Sequence, residues 1–392
     1  MSWRAGSVCP PTPSPSQGEG WGEGRSSGCT PHPASPLKGR GGFHFKCAWV
    51  ALPVIVALAG GCGRPQGVLF PAMEPARVWP SPPDTPRIKL LGVLSGSDDL
   101  KAAQSGGEVF ANVLRGSRPT IRFSGPHAIA FREPGLLAVA DGTGAAVHIL
   151  DLENRTHLLV SGFGEERFAV PVGVAWADGR LFVTDAGRRE VIELDTDGHF
   201  VRSFGKAQRD QDGSGVLRRP VGITYSSARQ RLYVVDGDEH QVKVFDLTGT
   251  MVVTLGRRGT LPGEFNFPTH ICAAGDRLLV ADSGNFRVQL LDLDGICIKT
   301  IGRKGDGAGD FALPKGVAFD KDGHIYVVDA QFENIQVFDP NGQLLMAFGE
   351  EGSGLGEFSL PAGLTIDGMD RIWVTDAGNR RIQVFSYMRT SS

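Results

Sequence analysis

Six times along the chain a Pro opens a short apolar run, and a second run follows that ends in Asp. The prolines are Pro126, Pro171, Pro220, Pro268, Pro314 and Pro361. The second runs, LLAVAD, LFVTD, LYVVD, LLVAD, IYVVD and IWVTD, end at Asp141, Asp185, Asp236, Asp282, Asp329 and Asp376, and successive aspartates lie 44 to 51 residues apart. A third run comes after each: VHILD, VIELD, VKVFD, VQLLD, IQVFD and IQVFS. The clearest copy, residues 311–349, has a fourth run, LLMAF, and its runs are separated by Asp-Gly and Asn-Gly pairs. β-branched and aromatic runs joined by such pairs read as hairpins, because Gly and Asn tolerate the positive φ of tight turns. Each copy is therefore a four-stranded antiparallel meander. One such sheet alone has two faces and two edges to hide, and is not stable in water.

A repeat of this size matches one propeller blade and is too long for a leucine-rich or ankyrin unit. The expected fold class is all-β, a six-bladed β-propeller. The repeats resemble the NHL family, whose blades carry P-x-G, then VxD, a polar tip, and RIQVF. PAGLTIDGMDRIWVTDAGNRRIQVF from Pro361 and PTHICAAGDRLLVADSGNFRVQLL from Pro268 carry the resemblance, which covers residues 126–386. The first repeat departs most, with FREPG as its turn and DGTGAAV as its tip.

Repeats two to five close with a fourth strand (HFVRSFG, TMVVTLG, ICIKTIG, QLLMAFG), whereas the sixth stops at VFSYMRTSS. RIKLLGVLSG, before the first repeat, has the right composition for the missing strand. Ile88–Leu94 is predicted to pair with residues 382–385 and so close the ring, since an open array leaves blade faces exposed. The propeller domain then runs over 88–386. Between the closing strand and the first repeat, residues 97–125 read as a short helical insertion. Ser97, Asp98 and Asp99 form its start, and Val109, Phe110, Val113 and Leu114 have helical spacing. It is either a packing lid or a contact with lipid or a partner.

Residues 1–37 are dense in Pro, Gly and Ser and are expected to be disordered, or to precede the true start of translation. Residues 38–62 combine a basic stretch, an apolar run of about 13 residues and small residues before Cys62, which reads as a signal peptide. The tract LAGGC resembles a lipobox, in which Cys62 is lipidated; the alternative is an ordinary secretory signal with a coincidental Cys. Gly63 after that Cys, by resemblance to lipoprotein sorting, implies the outer membrane, facing the periplasm or the exterior. Residues 63–87 are Pro-rich and are expected to form a semi-rigid tether.

Forty Lys plus Arg against 43 Asp plus Glu give a net charge of −3 with no long block of one sign, which offers no footprint for nucleic acid. Cys272 and Cys297 fall in the first and fourth strands of one repeat. Three strand spacings of about 4.8 Å separate such positions, too far for a disulfide, so both are expected as buried free thiols. The repeats contain no zinc-finger spacing, Walker loop, nucleophile elbow or His-Glu-x-x-His.

Candidate binding residues come from the channel and the tips. The position after the signature Pro holds His127 in the first repeat and Lys315 in the fifth; the next is Gly in four repeats, Ala128 in the first and His270 in the fourth. His270 is thus a candidate ligand or metal group, or a packed residue. Resemblance to amidating-lyase, streptogramin-lyase and gluconolactonase-type propellers implies a channel metal, zinc or calcium, in some members of this fold. His127 and His270 differ by one residue in register, which on a regular strand turns them to opposite faces, and three ligands do not converge. The six repeated aspartates are expected to accept backbone hydrogen bonds. The tips differ among repeats and present Arg189, His240, Phe286 and Arg380: a binding platform, or merely solvent-facing loops. The functional expectation is a monomeric, extracytoplasmic, membrane-tethered propeller that binds a protein or glycan partner, without a cofactor and without nucleic acid. The alternative is a metal-dependent lyase or hydrolase with its site in the channel.

Overall fold

Each repeat folds into the sheet its sequence predicts. The computed structural model describes residues 68–101, 120–206 and 216–388, and these build six antiparallel blades. The first blade is Pro126–Arg132, Leu136–Asp141, Ala146–Asp151 and Thr156–Val160, paired in that order. The second to fifth blades begin at Pro171–Ala177, Pro220–Ser226, Ile271–Ala274 and Pro314–Phe319, and each runs from an inner to an outer strand in the same way. The innermost strands are neighbours in chain order, and the sixth, Pro361–Ile366, returns to the first, so the ring is closed.

Closure is made by the strand ahead of the first repeat. Ile88–Leu94 pairs antiparallel with Arg381–Tyr387, from Ile88 opposite Tyr387 to Leu94 opposite Ile382. Ile88, Leu90 and Leu94 are each at most 1% exposed and pack against the inner runs of the fifth, sixth and first blades. Ile88 and Leu90 are buried toward the fifth blade, and after a bulge between Leu90 and Gly92 the strand buries Leu94 toward the first.

Residues 68–87, which fall within the expected tether, lie against this last blade. Val78–Trp79 adds a fifth strand to its edge. The Trp79 ring sits edge-on to Phe385 at 5.7 Å, and Phe70 lies 6.0 Å from Trp373. The Pro-rich composition predicts stiffness alone; the aromatics interleaved with the prolines supply contact area. Ser97–Leu100 forms one 3-10 turn, held by Asp99 accepting from the backbone of Ser95 and Gly96. Val109, Phe110, Val113, Leu114, the signal-like segment and Cys62 lie outside the described residues. Cys272 and Cys297 are free thiols on the inner and outer strands of the fourth blade, and both are half-buried rather than buried.

Candidate functional site at the channel mouth

The repeated aspartates are structural. Asp141 accepts from the backbone N–H groups of Ser124 and Gly125 ahead of its blade and of Gly144 in its own tip, and Asp185 does the same with Ala169, Val170 and Arg188. Asp236 and Asp329 repeat the pattern. In the fourth and sixth blades Arg287 and Arg381 add guanidinium bonds to Asp282 and Asp376 at 2.8 and 2.6 Å. Every one of the six is 0% exposed. A buried carboxylate held by this many donors fixes where each inner strand begins.

The signature Gly has an equally physical cause. A Cβ on Gly222 would meet Thr269 O at 2.7 Å and His270 Cα at 2.9 Å; on Gly363 it would meet His127 O at 2.5 Å. Inner strands approach too closely there for any side chain. The first and fourth blades carry Ala128 and His270 at this position, and there the packing differs.

His127 and His270, from blades on opposite sides of the ring, stack across the channel mouth, with ring centroids 5.3 Å apart and planes inclined by 20°. This corrects the expectation of opposite faces. That expectation assumed unbroken strands, but the first strand bulges between Pro126 and Ala128, and the fourth blade's inner strand begins only at Ile271. His127 Nδ1 donates to Val172 O at 2.9 Å, which leaves Nε2 as an acceptor. His270 is 8% exposed, and among the described residues neither of its ring nitrogens has a hydrogen-bond partner. Burial, reinforced by Lys315, holds His127 down at about 4; burial, reinforced by His127 and Lys315, keeps His270 well below its ordinary value. Both rings are therefore neutral at pH 7.

The two histidines share a cavity of about 540 Å³ with Lys315 and Arg189, and with Arg218 and Arg219, which sequence reasoning missed. The position of Arg219 just before the signature Pro220 is the signal that could have found it. Arg380 lines an adjoining recess that shares His127, Val170 and Val172 with this cavity. His240 and Phe286 line neither. His240 is 6% exposed, its Nδ1 accepts from Phe267 N at 2.9 Å, and it braces the next blade; Phe286 lies under Lys304, 5.0 Å from its ring.

The tips share one backbone feature. The residue four places after each repeated Asp has positive φ: Ala145, Arg189, His240, Phe286, Glu333 and Arg380, from 47° to 61°. Glycine would be the least strained choice there. Glu333, like His240, is turned to the next blade and accepts from Leu360 N, whereas Arg189 and Arg380 are exposed.

Potential metal ligands do not gather in the channel. Among the described residues, groups of three occur only at Asp195, Asp197 and His199 and at Asp320, Asp322 and His324, in turns away from it. The donor set at the channel mouth does not fit a cation: among the described residues no third donor converges on the two imidazoles, and an ammonium group is close enough to depress both.

Comparison with known proteins agrees with the repeats. The NHL repeat is matched over residues 358–385. NHL repeat-containing protein 2 of Bos taurus is 27% identical over 160 residues, which are 38% of this chain and only 19% of that protein. Among solved structures, an auxiliary nutrient binding protein from Bacteroides thetaiotaomicron superposes with a TM-score of 0.53 at 16% identity, covering 68% of this chain and 70% of that one. A gluconolactonase from Xanthomonas campestris gives 0.51 at 18%, over 68% and 87%. At such identities these two structures speak to the fold alone. The repeat match, the bovine relative and the closed ring of six blades together support an NHL-repeat β-propeller.

Proposed function

We propose that this propeller is a binding module whose partner, a protein or a glycan, docks on the channel-mouth face. The observation that carries the reading is the strained tip position. Arg189 and Arg380 occupy left-handed backbone where Gly costs least, point to solvent, and sit in adjoining recesses on one face. A rigid ring that fixes such side chains loses little conformational entropy on binding. The exposed apolar residues Val170, Phe267 and Leu360, each directly before a signature Pro, add contact area around the same mouth. With residues 38–62 read as a signal and Cys62 as a lipid anchor, the module acts in the cell envelope, held at the outer membrane.

The test is capture from envelope extracts with the parent chain and with the double charge reversal R189E/R380E. A partner held by the parent and released by the variant is the expected result. A partner retained by the variant but lost on substitution of an outer-strand residue such as Val252 overturns the choice of face. The metal-dependent lyase or hydrolase is the second reading, favoured only by the stacked histidines. Stoichiometric zinc or calcium in purified protein, lost on H270A, would establish it.

A further inference from the structure

Four cationic side chains and one carboxylate line the channel-mouth cavity. The carboxylate, Asp238, lies 3.7 Å from Arg219, and Arg218 reaches out of the cavity to Glu239 at 2.6 Å. Lys315 and Arg189 have no ion-pair partner among the described residues. Arg189 is solvated, so its charge costs little. Lys315 is half-buried at the head of the fifth blade's inner strand, and burial alone holds its ammonium below the ordinary value, with no carboxylate to oppose it. Beside it stands His270, more than nine-tenths buried, with both ring nitrogens unpartnered. A half-buried ammonium without a counter-charge and a buried imidazole without a hydrogen bond are each unfavourable in isolation. One ligand relieves both.

We propose that the cavity between His127, His270 and Lys315 binds an oxyanion, the carboxylate or phosphate group of a small organic molecule. One oxygen pairs with the Lys315 ammonium and another accepts the ring N–H of His270. Arg189 closes the open side as a solvated second cation. His127, whose Nδ1 is committed to Val172 O, offers only its Nε2 lone pair. It accepts from a hydroxyl on the ligand rather than from the oxyanion. The same arrangement explains why a metal does not fit: the charge that repels a cation is the one that holds an anion. The inference rests on the proposed function only in taking this face as the binding face.

The experiment titrates inorganic phosphate and, separately, succinate into the full chain at constant ionic strength set with chloride, and follows the imidazole nitrogen resonances of ¹⁵N-labelled histidine. Saturable shifts of the His127 and His270 signals with millimolar affinity, weakened roughly tenfold or more in Lys315→Met and retained in Lys315→Arg, are expected. Saturation by phosphate alone or by succinate alone identifies the head group. Lys315→Met should unfold at no lower urea concentration than the parent without ligand, so loss of binding cannot be ascribed to loss of fold. No saturable shift up to about 50 mM, or equal affinity in Lys315→Met, overturns the proposal. If the envelope partner is still captured in that case, the channel face remains the binding face and only the oxyanion is lost. If capture fails and the shifts persist, the cavity binds its anion without serving as the docking surface.

Discussion

Leu90 lies opposite Phe385, and through that pairing the segment before the first repeat completes the last blade. Leu90 is 1% exposed, and Leu90→Ala should cost about 2 to 5 kcal/mol, the range for emptying a well-packed site. Val252→Ala, on the outer strand of the third blade where Val252 is 50% exposed, should cost no more than about 0.5 kcal/mol. Urea unfolding of the two variants checks the contrast. Equal small losses would mean that the seven-residue strand Ile88–Leu94 is not holding the ring.

Asp376 is, with Asp282, among the most heavily bonded of the repeated aspartates. It accepts from Ser359 N, from Arg381 Nε at 2.6 Å and from Gln383 Nε2 at 3.1 Å. Asp376→Ala leaves the Arg381 guanidinium buried without its partner and should destabilise the domain by about 3 to 5 kcal/mol. Asp195→Ala, in an exposed turn where the carboxylate serves mainly its own loop, should cost far less. Melting curves of the pair decide whether the six carboxylates are structural.

Gly222 faces the backbone of Thr269 and His270 across the inner ring. Gly222→Ala should cost about 1 to 3 kcal/mol by forcing two inner strands apart, even though its φ suits any residue. Because the backbone it would crowd includes His270, just ahead of the strand that begins at Ile271, the variant should also shift the His270 resonances. A fully stable variant with unmoved histidine signals would show that the approach is looser than described.

Burial holds His127 at about 4 and His157 at about 3, with Lys315 and His148 respectively adding to the effect, and His270 lies well below its usual value. The unfolded chain protonates these rings near pH 6.5, the fold only at lower pH, so the unfolded state binds more protons between those limits. Stability is therefore full above about pH 6.5 and declines as pH falls through the window toward about 4 and then 3. His127→Gln should make that decline shallower by up to about 1.4 kcal/mol per pH unit. Urea midpoints from pH 7.5 to 4 measure it; an equally steep decline in the variant would mean that His127 is not held neutral.

Much of this architecture was legible because it is repeated. The Asp at the end of each second strand, the Pro-x-Gly ahead of it and the four runs per copy each appear several times, so one misread copy leaves the pattern standing. The closing strand was legible by subtraction, since the sixth repeat lacks a fourth run and IKLLGVL supplies it. What the sequence hid lies where the repeat is broken. His127 and His270 meet because a bulge and a late strand start undo the alternation that had separated them. Trp79 and Phe70 dock on the last blade from a stretch whose prolines mask its aromatics. His240 looked like a displayed side chain, but its ring turns back to Phe267, a choice of rotamer that spacing does not reveal.

The pairing of Ile88–Leu94 with Arg381–Tyr387 also orders events during synthesis. The strand emerges from the ribosome before any blade, and its partner only after the first five, so five blades leave the exit tunnel while this apolar segment has nowhere to dock. A nascent chain cut short before residue 381 can form blades but cannot latch them. Termination or slow translation before residue 381 should thus yield an open, sticky array, a substrate for chaperones rather than a weakened propeller.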